Sequence, residues 1–111
     1  KRRIHITIMA AVARLGDSVF SPNGTGYKCR QPMTTSIGEG NGNNVTANGI
    51  LVAVEGDIVS PHPLPGCSTI DQQTVSSYSS TIRIGGLGVA RIGDMLGDNV
   101  ITQGAPTVFG G

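Results

Sequence analysis

The side chains with the strongest intrinsic chemistry in this chain are few and unevenly placed. His62 and Cys67 lie in S-P-H-P-L-P-G-C, residues 60–67, where three prolines stiffen the path between an imidazole and a thiol. A His-x4-Cys pair on such a loop suits tetrahedral zinc, which accepts mixed Cys and His ligands, and the prolines reduce the entropy lost when ligands converge. The same residues also read as a solvated loop histidine and a buried thiol packed as a small hydrophobe. Cys29 is the only other cysteine, so a disulfide, two free thiols and metal ligation all stay open. Asp17, Asp57 and Asp94 come next as a carboxylate set, but each follows a glycine. A side chain that recurs in one local setting is read as a turn residue accepting backbone N–H groups. Asp94, Asp98 and Asn99 lack the ligand spacing and central Gly of an EF-hand. No G-x-S-x-G marks a nucleophile elbow. Neither I-G-E-G-N-G-N-N at 37–44 nor G-G-L-G at 85–88 has the G-x-G-x-x-G spacing of a phosphate cradle; the first is read as a surface loop. With no catalytic set in view, an enzyme is the function class set aside first.

The glycine–aspartate pairs belong to a larger repeat. V-T-A-N-G-I-L-V-A-V-E-G-D at 45–57 and I-R-I-G-G-L-G-V-A-R-I-G-D at 82–94 align without a gap, placing Gly49 on Gly86, Val52 on Val89, Ala53 on Ala90 and Asp57 on Asp94. A third copy, V-A-R-L-G-D at 12–17, matches V-A-R-I-G-D at 89–94 apart from leucine for isoleucine, and the three Gly-Asp pairs lie 40 and then 37 residues apart. Such self-similarity means one supersecondary unit copied, each copy burying its apolar face against its neighbours. The units read as short strands and tight turns. Asn-Gly at 23–24, 41–42 and 48–49 signals hairpins. The prolines of 60–67 bar that stretch from the middle of a sheet, and 72–81 is a polar connection or edge strand. Ile4, Ile6 and Ile8 alternate with His5 and Thr7, so residues 1–8 form an N-terminal strand or an extension foreign to the domain, which is then 9–111. The expectation is an all-β fold.

Composition narrows the function classes. Gly contributes 17 residues and charged groups 14%, against roughly 7% and about 25% in ordinary soluble domains. A formal net charge of +1 gives no field to draw nucleic acid, and the terminal cluster Lys1, Arg2, Arg3 stands alone. No apolar run approaches the roughly 18 residues of a spanning helix, and no signal-peptide core is present, so neither stable membrane insertion nor Sec export is expected. With two Phe, two Tyr and no Trp, Val, Ile, Leu and Ala must build the core.

The V-A-R-[LI]-G-D signatures at 12–17 and 89–94, the degenerate V-A-V-E-G-D at 52–57, and the ending G-A-P-T-V-F-G-G resemble the PAAR-repeat family over 9–111. The small size resembles the tail-spike tip proteins of T4-like contractile phages. The resemblance implies a small β-rich cone with three repeats about a pseudo-threefold axis. It would seat one copy on a trimeric β-helical spike at the tip of a virion's tail baseplate, to pierce the target envelope in transient contact with it. The related alternative is a type VI secretion adaptor that attaches effectors to the spike. The family's apex commonly holds zinc through three His and one Cys. Here that implies His62 and Cys67 after the second Gly-Asp, and Cys29 in the corresponding region after the first, as ligands of a structural zinc. No His follows Gly16-Asp17 or Gly93-Asp94.

Overall fold

The computed structural model describes residues 10–22, 33–40, 44–60 and 73–110. Its organising piece is the turn inside each V-A-x-x-G-D copy. Gly16, Gly56 and Gly93 take φ of 89°, 91° and 91°, a left-handed conformation open to glycine without steric cost. The aspartate after each glycine turns back on its own turn. The Asp17 Oδ2 accepts from Arg14 N–H at 2.7 Å, Asp57 Oδ2 from Val54 N–H at 2.9 Å, and Asp94 Oδ2 from Arg91 N–H at 2.9 Å. The expected role of these carboxylates, accepting backbone bonds, is what they perform.

These turns let three short segments meet head to tail. Ala13 N–H donates to the Ala90 carbonyl, Ala90 N–H to Ala53, and Ala53 N–H to Ala13, each at 2.9 Å. The result is a closed ring of backbone bonds about a pseudo-threefold axis, with all three alanines 0% exposed. The antiparallel bridges Val12↔Arg91, Arg14↔Val52 and Val54↔Val89 link the same segments in the same cyclic order.

On one side of the ring sit three hairpins. Strands β4 (Thr46–Ala47) and β5 (Ile50–Leu51) are joined by Asn48-Gly49 at φ 53° and 83°. Strands β7 (Arg83–Ile84) and β8 (Leu87–Gly88) are joined by Gly85-Gly86 at φ 59° and 84°. Both are the primed turns that match strand twist. The third hairpin is assembled from the two ends of the described chain, β1 (Ala10–Ala11) pairing antiparallel with β11 (Phe109–Gly110). Its register repeats that of the others: Ala11↔Phe109 stands where Leu51↔Thr46 and Gly88↔Arg83 stand.

On the other side of the ring the chain forms a barrel. Strands β2 (Ser18–Ser21), β3 (Met33–Glu39), β6 (Ile58–Val59), β9 (Met95–Leu96) and β10 (Asn99–Ile101) lie in the order β6-β3-β2-β10-β9. Thr74 and Val75 bridge the open edges, through Ile58↔Thr74 and Val75↔Leu96, and all but close the sheet on itself. The interior is written in triads. Val12, Val52 and Val89 are 4%, 4% and 2% exposed, and beneath the alanines Val19, Val59 and Leu96, then Ile37, Val75 and Ile101, are each 3% or less. Full burial of such side chains stabilises by about 1.5–3 kcal/mol each, which offsets the scarcity of aromatic residues.

The all-β expectation holds, with no helix among the described residues, and the architecture is consistent with a small cone. Two local readings are corrected. Residues 37–39 are strand rather than loop, because Ile37 is needed in the barrel interior. Gly38 is there for a close approach: a Cβ would lie 2.8 Å from the Ser60 Cα. The polar stretch after Gln72 is not an edge, since Thr74 and Val75 sit between β6 and β9.

Candidate functional site

The hairpin end carries a feature that core-building does not require. Val52 N–H bonds to the Val45 carbonyl at 2.9 Å, Val89 N–H to Ile82 at 3.0 Å, and Val12 N–H to Val108 at 2.9 Å. Val45, Ile82 and Val108 are thus pseudo-equivalent, and they are 42%, 36% and 37% exposed. Three aliphatic residues held in solvent at one repeat position cannot be ascribed to chance leakage from the core. Between them opens a cup of about 200 Å³ whose floor is Val12, Val52 and Val89 and whose wall includes Ala47, Ile84 and Phe109. No charged residue lines it, and Phe109 is 49% exposed.

The charges nearby are already spoken for. Arg14 Nε and Nη2 donate to Asp17 Oδ2 and Oδ1 at 3.1 and 2.9 Å, and Arg91 Nε and Nη2 donate to Asp94 Oδ2 and Oδ1 at 2.9 and 3.1 Å. The hydrogen bonds that Arg14 donates to Asp17 raise its pKa above the ordinary value despite desolvation, and those to Asp94 do the same for Arg91. The partner of each arginine is thus the carboxylate three residues on. In the middle copy Val54 replaces the basic residue and is 0% exposed. Arg83, beside Ile82, spends its Nη1 on the Gly86 carbonyl at 3.1 Å. The hairpin face is therefore apolar and nearly uncharged.

The sequence-predicted ligands His62, Cys67 and Cys29 all lie outside the described residues, as does His5. Among the described residues no group of three ligating side chains assembles. Of the described flanks, Ser21 pairs with Met33, and Ser36 Oγ of β3 lies 3.0 Å from Ser60 Oγ. The cup itself was missed by sequence reasoning. Its signal in the sequence is the pairing of Val45 with Ile82 in the aligned repeats.

Residues 30–97, more than half the chain, match the PAAR motif. The chain belongs to the PAAR motif family. The match spans the second and third Gly-Asp turns, and with them two of the three valines on the cup floor. No curated protein matches the chain. As a PAAR protein it has a spike-tip or adaptor role in a contractile injection machine, associating with a spike protein at its tip.

Proposed function

We propose that this PAAR protein caps and sharpens the trimeric β-helical spike of a contractile phage tail, one copy per trimer, for piercing the target envelope. The supporting observation is the hairpin face: a single chain presents Val45, Ile82 and Val108 at three equivalent stations about one axis. A trimer offers three identical surfaces, and one copy with threefold pseudo-symmetry meets all three at once. The resemblance to T4-like tip proteins supports the virion over a secretion apparatus. The work is mechanical, so the fold needs rigidity rather than turnover, and the closed alanine ring with its triads of core residues provides it.

The test is the mass of the purified complex between this chain and a trimeric spike. One copy per three spike chains is expected, and the affinity should persist at high salt because the face has few charges to screen. Three copies per trimer would overturn the reading. Gold-labelled antibody should mark the spike tip of purified virions; label found only on spikes secreted by bacterial cells would assign the chain to a secretion adaptor.

A further inference from the structure

Several features of the cup decide what it receives. It is concave, about 200 Å³ in volume, and its floor of Val12, Val52 and Val89 is pseudo-threefold. A second copy of this chain is a poor occupant, since two opposed cups would enclose twice that volume of empty apolar space, and voids of this kind are costly. A charged occupant is also a poor match. On a symmetric partner any charge facing the next ring of residues would appear three times, opposite Thr46, Arg83 and Phe109, which are pseudo-equivalent by register. A carboxylate gaining Arg83 at one station would be desolvated against Phe109 at another, at a net cost.

We propose that the cup receives a convex apolar knob made by three identical aliphatic side chains meeting on the axis of the trimer. This rests on the spike-cap reading above and adds the chemistry of the contact. The volume of about 200 Å³ accommodates about six or seven heavy atoms at the roughly 30 Å³ that a water molecule takes in the liquid. That is the pair of terminal methyls from each of three valines. Gly110 controls the fit. A Cβ there would point into the cup, 2.9 Å from Ile82 Cδ1 and 3.5 Å from Val12 Cγ2, so Gly110→Ala removes room while only a flexible side-chain end must yield.

The experiment titrates this chain with trimeric β-helical spike fragments carrying valine, alanine, serine or aspartate at the last axial position. Valine-tipped trimer should bind tightest and serine-tipped at least about tenfold weaker, as expected when apolar groups leave an apolar pocket. Gly110→Ala, first shown to melt like the wild type, should lose affinity for the valine tip and regain it with the alanine tip. Equal affinity for valine and serine tips overturns the knob while leaving the cap reading intact. Absence of binding to every trimer overturns both. Analytical ultracentrifugation of the chain alone should give a monomer; a dimer abolished by Ile82→Asp would make a second copy the occupant and overturn the knob.

Discussion

The Arg14–Asp17 and Arg91–Asp94 pairs are chemically identical but differently buried, with side chains 9% and 4% exposed in the first and 23% and 10% in the second. Removing one member of a buried pair leaves the other charge without its partner, at a cost of about 3–5 kcal/mol, whereas a partly wet pair loses about 1–3 kcal/mol. Asp17→Ala should therefore lower the urea midpoint well beyond Asp94→Ala, and equal losses would show that burial does not govern these pairs. Arg14→Val should be milder than Asp17→Ala, because Val54 already occupies the equivalent place and its N–H still reaches Asp57 Oδ2 at 2.9 Å. The sign of the pH effect follows from the raised guanidinium pKa. The pair's contribution is present below the ordinary arginine pKa and lost only as pH rises through the higher folded value. The melting difference between Arg14→Ala and wild type should accordingly stay constant from about pH 7 to about pH 10. A difference that closes over that interval would contradict the assignment.

At the scale of elements, the first half of each repeat was legible and the second half was not. V-A-x-x-G-D makes the same turn each time, so its spacing survives in the sequence. The barrel segments that follow are separated by residues 22–32, by 60–73 and by Gly97-Asp98 alone, and these unequal connections hide the equivalence of Ile37, Val75 and Ile101. Only the structure places all three against the Gly-Asp turns, through bonds from Gly16 N–H to the Ile37 carbonyl, Gly56 to Val75, and Gly93 to Ile101, at 2.7, 3.3 and 2.9 Å. The equivalence can be tested. Val19→Leu alone should overpack its layer and cost about 1–3 kcal/mol, but Val19→Leu with Leu96→Val exchanges volumes within one triad and should cost less than about 1.5 kcal/mol. If the double variant is the less stable, the layer is not symmetric. The metal expectation also belongs here, since His62, Cys67 and Cys29 fall on the two long connections. We propose one structural zinc there. Protein purified without added metal should contain about one equivalent, and Cys67→Ser should lose it together with much of the thermal stability. A metal-free wild type whose Cys67→Ser variant melts unchanged would remove zinc from the account.

For the molecule as a whole, the ends of the described chain complete one unit between them. Val108 stands where Val45 and Ile82 stand, and Ala105 N–H binds the Val12 carbonyl at 2.8 Å while Thr102 N–H binds Ser18 at 2.9 Å. This was not legible because, among the described residues, the strand that pairs with β1 is β11 (Phe109–Gly110), about a hundred residues away in sequence. Removing residues 108–110 should thus do more damage than their exposure suggests, opening the cup, releasing β1 and lowering the melting temperature; a truncated chain that melts like the full one would contradict the shared unit. The arrangement also fixes when folding can finish. On the ribosome the first repeat emerges about a hundred residues before the strand that completes it, and contacts of such sequence separation are slow to form. The alanine ring can form once Ala90 is available, but the third hairpin cannot. Until residue 110 clears the exit tunnel, Val12 N–H lacks the Val108 carbonyl and β1 lacks its partner strand, so completion of the cup waits on residues made long after the floor they enclose.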